Sequence, residues 1–411
     1  MSTPHVELPL AGIKVVELAH LVAAPHAAML MAEEGAEVIK VEPPQGELSR
    51  SREPTRKMGP HRVSGHFGAC NRGKRSIALD LKAPAGREVM RRLLGRADVF
   101  VTNLRAEALG RLGLHPDTLH HDFPRLVIVV ISGFGYRDAG PYEGRAGLAM
   151  VGEALSGSTG LARDHQGNPV WCGFALGDVA AGMTAHSAAL LALRLQERTG
   201  KGRVLDITLA ESMLPMVASA IARVQLADAE AKESAGPNNY HGVPYGTFRA
   251  KDGHINIGVN NDRLWRRFCA AIGRPELGTD PRYALYMDRA ARMAEVLRIT
   301  EDFTSQRTRD ELTAIFERAD VPVAAILSIP ESMDNAYYAM RGAFCTADDG
   351  LGGELKLPVD PTRMSGPARR LSLPRLGQHR VEILAQCGFA TAEQERLAAG
   401  GAFGPAMAPA G

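Results

Sequence analysis

Six short runs built mostly from aliphatic and β-branched residues constrain this chain more than anything else in it. They occupy residues 13–18 (IKVVEL), 36–42 (AEVIKVE), 75–81 (RSIALDL), 98–103 (DVFVTN), 125–133 (RLVIVVISG) and 203–209 (RVLDITL). Helix-like segments lie between them, near residues 25–34, 83–94, 107–121 and 179–197. Strands without polar alternation suit a parallel sheet covered on both faces, and strand-helix-strand units build such sheets. The expected class is therefore α/β, with ligand bound beyond the carboxyl ends of the strands. The first strand-to-helix turn reads LAHLVAAP and has no glycine. GxGxxG is absent, so a standard dinucleotide enzyme is not expected.

A chain of 411 residues exceeds what one hydrophobic core usually holds, which predicts two domains. The polar, Pro/Gly-bearing stretch 227–242 (ADAEAKESAGPNNYHG) marks the boundary. We expect residues 1–226 to form most of a large domain and 227–327 a smaller α+β domain. Residues 328–411 would return to the large one. In the middle part, YGTFRAKDGHINIGV reads as a hairpin turning at Asp252-Gly253. Helices are expected over 262–272, 290–304 and 309–318, with VPVAAIL (321–327) leading back. The Ala/Gly/Pro-rich end, AAGGAFGPAMAPAG, is expected to fray.

Net charge is only +2, and no basic run is interleaved with aromatics, so neither nucleic acid nor a membrane surface is the expected partner. No window approaches 18 uninterrupted apolar residues, and the opening MSTPHVELPLAG does not read as a signal peptide. Cys70, Cys172, Cys269, Cys345 and Cys387 show no ligand spacing, which suits a reduced cytoplasm and no structural metal.

The one polar group in ALGDVAAGMTA that could do chemistry is Asp178. Aspartate is a good helix N-cap, and a helix is expected to begin here. A carboxylate at a helix start also faces positive dipole density, which would keep it ionised and nucleophilic. Both readings stay open on the residues alone. The small neighbours would leave room for a bulky acyl group. His20, His26 and Cys172 lie close by in sequence, where packing or loop roles compete with a site role.

The strings LAGIKVVELAH, GAEVIKVEPP, NRGKRSIALDLK, ADVFVTNLRAEALGRLG, LGDVAAGM, RTGKGRVLDITLAESML and VPYGTFRAKDG occur in this order over nearly the whole chain. Together they resemble the class III CoA-transferases, the family of formyl-CoA and carnitine CoA-transferases. The resemblance implies a Rossmann-like parallel-sheet domain, a smaller domain and an interlocked homodimer. It implies coenzyme A thioesters as substrates and no permanently bound cofactor. Asp178 would attack an acyl-CoA and carry CoA as an aspartyl thioester, with N–H groups near Gly177 stabilising oxyanions. CoA contacts would fall on Ala23, Leu79, Lys82, Asn103, Leu104 and Arg111, with Lys74 and Arg75 as further basic candidates.

Val22, Pro43 and the pair Leu148-Ala149 stand where formyl-CoA transferase has Gln, Arg and Tyr-Glu. Those losses make oxalate an unsuitable acceptor and place Val22, Leu148 and Ala149 in the acid pocket. Arg145 could meet a second carboxylate. A racemase acting on α-methylacyl-CoA resembles the same family, but its His-Asp pair falls where this chain has Arg145-Ala146, and an arginine cannot serve as base. A non-catalytic acyl-CoA-binding protein is the other reading, and Asp178 argues against it.

Overall fold

The structure is a computed structural model that describes residues 8–59, 61–164, 166–226, 242–362 and 371–404. The chain divides into two compact units. The first comprises Met1–Gly160, Trp171–Val217 and Ala336–Gly411, and the second Leu161–Val170 and Ala218–Asn335.

The first unit opens with β1 (Lys14–Leu18), α1 (Ala23–Glu33) and β2 (Glu37–Glu42). A hairpin of β3 (Thr55–Met58) and β4 (His61–Ser64) leads to α2 (Gly65–Asn71) and β5 (Arg75–Ala78). Next come α3 (Pro84–Leu94), β6 (Val99–Thr102), α4 (Ala106–Arg111), α5 (Pro116–Asp122) and β7 (Val127–Ser132). The short α6 (Ala149–Leu155) and the single turn α7 (Ser158–Leu161) precede the long α8 (Leu176–Thr199), which feeds β8 (Val204–Thr208).

All six expected strands form one parallel sheet in the order β5-β2-β1-β6-β7-β8. Their apolar continuity has a direct cause. Val16, Phe100, Ile128 and Val130 face a core closed by α3, α5 and the C-terminal segment, while Val15, Val99, Val101, Val127, Val129 and Ile131 face α1 and α8. Successive side chains alternate between faces, and here both faces are dry, so most strand positions are apolar and the charged ones at the centre, Glu17, Lys40 and Glu42, are buried in ion pairs. Alanines 24, 27, 28, 181, 185 and 189 bring α1 and α8 close together. A Cβ on Gly182 would lie 2.8 Å from the Ala23 carbonyl, so that position admits only glycine without a shift. α8 is long and apolar enough to cross a membrane, yet one face of it, Ala181, Ala185, Ala189, Ala192 and Leu193, serves this core, while Met183 and Leu191 are exposed.

The sheet reverses direction of growth between β1 and β6: from β1 the chain builds outward to β2 and β5, then returns to β6 on the other side. A crevice opens at the carboxyl ends of strands where such a switch occurs. Residues after Ala336 add the hairpin of Phe344–Asp348 and Glu354–Pro358, then helices Arg380–Gln386 and Thr391–Ala399. The expected fraying of the tail does not hold as far as Phe403. Ala402 is fully buried and its carbonyl accepts the Asp80 N–H at 2.8 Å; residues 405–411 lie outside the described residues.

The second unit holds a three-stranded antiparallel sheet of Val323–Ala325, Gly253–Gly258 and Tyr245–Ala250. The hairpin is present, but its register pairs Gly253 with Ala250, so Lys251-Asp252 form the turn. Trp265, Phe268 and Phe316 fill its core. Residues 321–327 do not lead straight out: the edge strand hydrogen-bonds to its neighbour, and the chain re-enters the first unit at Ala336. The crossing in the other direction falls at Ala218, ahead of the expected 227, and residues 227–241 lie outside the described residues.

Candidate functional site

At the switch point Asn103 staples two loops together. Its Nδ2 donates to the His20 carbonyl at 2.7 Å and its Oδ1 accepts the His20 N–H at 3.1 Å, tying the loop after β1 to the end of β6. Leu21 takes a positive φ of 65°, a strained conformation for a branched side chain. Its N–H is held by Glu47 at 3.3 Å. Beneath this loop Glu17 pairs with Lys40 and Lys74, each at 2.6 Å, with all three side chains fully buried. The ammonium groups also donate to the carbonyls of Ala19 and Pro25. Burial opposes ionisation of Glu17, but the two lysines outweigh it and hold its proton affinity below the usual carboxylate range. This buried triad thereby fixes the backbone on either side of residues 20–24.

Above the loop lies a cleft of about 540 Å³. His20, Leu21, Val22 and Ala23 form one wall, Asn103 to Ala108 another, and residues 131–136 with 142–148 the third. Asp178 faces into it from α8. Gly133 and Gly147 pin the third wall: a Cβ on either would fall within 2.6 Å of the other's Cα. Arg145 sits over the Tyr142 ring at 4.6 Å, and Arg105 donates to the Gly144 carbonyl at 3.3 Å.

The residues singled out from sequence divide accordingly. Asp178, Val22, Ala23, Asn103, Leu104, Arg145 and Leu148 line one cleft, and so does His20. Ala149 does not; it is buried under Gly177, whose Cβ would lie 2.9 Å from the Ala149 carbonyl. Leu79 places its side chain in the core, leaving only main chain for any ligand. Lys82 and Arg111 are exposed and outside the cleft lining. Lys74 is unavailable to a phosphate because its ammonium is spent on Glu17, and burial holds it down to about 8. Arg75 begins β5, at the opposite end of the sheet from the cleft, and donates to Gln386. His26 packs against Gly182, and burial lowers its proton affinity to about 4; Cys172 is exposed.

Two expectations about Asp178 change. Its helix begins earlier, with Ala175 at the N-cap, so Asp178 lies within the first turn and caps nothing. Its proton affinity is raised to about 6, first by burial and then by the nearby charge of Glu153, rather than held low by the helix start. The small residues around it serve helix contacts with α6 and α1 instead of making clearance. The Gly177 N–H is also taken, donating to Glu153 at 2.9 Å. Glu153 and Arg105 escaped the sequence reading: each is made notable by a contact with a separate segment, Glu153 with Gly177 and Trp171 and Arg105 with Gly144, which no local pattern shows. Among the described residues, no three His, Cys, Asp or Glu side chains converge as a metal site.

Residues 10–380 match the family described as CoA-transferase family III. The succinyl-CoA–D-citramalate CoA-transferase of Chloroflexus aurantiacus is 33% identical over 93% of this chain and 95% of its own. The succinate–glutarate CoA-transferase of Agrobacterium fabrum is 32% identical over 93% and 96%. A CaiB/BaiF family protein from Brucella suis superposes with a TM-score of 0.79 at 31% identity, covering 92% of this chain and 99% of that one.

Proposed function

The chain belongs to CoA-transferase family III and is a CoA-transferase, and we propose that Asp178 carries the CoA between acids as an aspartyl thioester. The observation that carries this reading is the position of Asp178: a partly buried carboxylate, without a hydrogen bond among the described residues, facing the switch-point cleft. A carboxylate held at about 6 is ionised at neutral pH and more basic than a free one, which favours attack on a carbonyl.

The steps balance without proton transfer. An Asp178 oxygen adds to the thioester carbonyl and the C–S bond breaks, giving a mixed anhydride and CoA thiolate. The thiolate attacks the Asp178 carbonyl carbon, and the donor acid leaves as its carboxylate. The acceptor carboxylate then attacks the aspartyl thioester, releasing thiolate and forming a second anhydride. Thiolate attack on the acceptor acyl carbon yields the new acyl-CoA and frees Asp178. No metal or resident cofactor is needed by this scheme. Ala23, Asn103 and Leu104 are the cleft residues we assign to CoA, with Lys82 from the segment after β5 and Arg111 from the end of α4 assigned to its phosphates.

For the acids we propose dicarboxylates. Arg145 and Arg105 both line the cleft, and the two relatives above are named for succinyl-CoA or succinate with a second diacid. A guanidinium meets a carboxylate with two parallel donors. We further propose a homodimer in which a second copy covers exposed apolar side chains such as Met183 and Leu191, in the cytoplasm, where five free cysteines persist.

The test is intact-mass analysis after incubation with acyl-CoAs, succinyl-CoA first. A CoA-sized adduct on wild type that is absent from Asp178→Ala, with exchange abolished, is the expected result. Exchange retained by Asp178→Ala would remove the assignment; racemisation without exchange would replace it by the racemase reading.

A further inference from the structure

Glu153 is an unusual group for an Ala/Gly-rich helix: it is only 2% exposed, carries no cation partner among the described residues, and lies beside the nucleophile. Each of its carboxylate oxygens takes one N–H. Oε1 accepts from Gly177, the residue before Asp178, at 2.9 Å, and Oε2 accepts from the Trp171 indole at 2.6 Å. The grip is short because glycines let the backbones approach. A Cβ on Gly152 would lie 2.9 Å from the Leu209 carbonyl carbon, and one on Gly177 would lie 2.9 Å from the Ala149 oxygen. α6 is therefore wedged between the start of α8 and the residues after β8, with Glu153 at the junction.

We infer that Glu153 is the positioning residue of this site: its carboxylate clamps the first turn of α8 through Gly177 and the preceding loop through Trp171, and its unpaired charge sets the reactivity of Asp178. This rests on Asp178 being the nucleophile. Two N–H donors keep the Glu153 anion buried without neutralising it. Like charge nearby disfavours the Asp178 anion, and an anion so destabilised is the stronger nucleophile. Other titratable groups face the same space: His20 after β1, Arg105 and Glu107 at α4, and Tyr136, Tyr142, Glu143 and Arg145 after β7, while His26 on α1 packs against Gly182 of α8. Glu153 is the one whose charge raises the proton affinity of Asp178. A purely structural clamp would hold the turn in place but leave the titration of Asp178 unchanged.

The experiment is the pH dependence of kcat and KM for CoA transfer by the full-length Glu153→Gln and Trp171→Phe proteins, beside wild type and Asp178→Ala. Glu153→Gln keeps the shape but loses the charge and one of the two acceptors, and only the loss of charge moves the titration of Asp178. Its acid limb is expected at lower pH, with plateau kcat several-fold down and KM for the CoA thioester unchanged. Trp171→Phe keeps the charge and loosens the clamp, so kcat should fall while KM holds; this exposed position also decides the question if the glutamine variant fails to fold. Wild-type limb and kcat in Glu153→Gln, or wild-type kcat in Trp171→Phe where the former is unfolded, overturns the inference. An inactive Asp178→Ala beside a normal Glu153→Gln removes only the role of Glu153; an active Asp178→Ala removes the nucleophile itself.

Discussion

Replacing Asp178 by Asn should destroy turnover and stabilise the fold, and the second effect can be worked from the site. The carboxyl titrates at about 6 in the fold against 3.8 for an ordinary aspartate, because burial and Glu153 disfavour its charge. Below 3.8 the proton is bound in both states and the side chain costs nothing extra. As pH rises from 3.8 through about 6 the unfolded chain releases its proton first, so wild type loses stability across that window and the loss is complete above it. About two pKa units at 1.36 kcal/mol each amounts to roughly 3 kcal/mol, reduced to about 1–3 kcal/mol for a partly exposed group on an open cleft. An unfolding entropy of about 2.1 cal/mol/K per residue, over a unit of roughly 280 residues, turns that into a rise in Tm of roughly 2–5 °C. The assay is a set of thermal melts of wild type and Asp178→Asn at intervals from pH 4 to 8, reading the transition of the unit that contains the cleft. The variant should gain on wild type between pH 4 and 6.5 and hold that gain above. Equal melting points at pH 8, with parallel pH dependence throughout, would refute the claim that the fold strains this carboxylate.

Three further outcomes are expected. Gly177→Ala places a methyl 2.9 Å from the Ala149 carbonyl; the shift it forces should cost about 1–3 kcal/mol by denaturant melts and lower kcat by displacing Asp178. Asn103→Ala removes both hydrogen bonds between the loops after β1 and β6 and should cost about 1–3 kcal/mol, with weaker CoA binding by calorimetry. Arg145→Ala should raise KM for dicarboxylate acceptors by roughly tenfold or more and leave monocarboxylates unaffected, since only the second carboxylate has a charge for it to meet.

Much of the first unit was legible because its strands are covered on both faces: continuous apolar runs such as VIVVIS have few alternatives as strands. The hairpin of β3 and β4 was missed for the opposite reason. TRKM is largely exposed and HRVS buries only Val63 and Ser64, so no apolar period marks them. Asp178 drew notice because a single acid stands among small, apolar residues, and the family resemblance is what attaches the proposed nucleophilic role to it. Lys74 was misread as a basic candidate for CoA, since its buried partner Glu17 comes from a strand 57 residues earlier.

What the sequence determined by itself is the layering, the family resemblance and the choice of Asp178 as the residue to propose, because each depends on local pattern or on one distinctive group. Tertiary structure alone decided the electrostatic state of that residue. Asp178 in a first helical turn reads as a favoured anion. Burial and the unpaired charge of Glu153, brought beside it by the close approach of α6 to α8, make it a reluctant one. Charge stability depends on what surrounds a group within a few ångströms, and those neighbours come from segments that no local pattern connects.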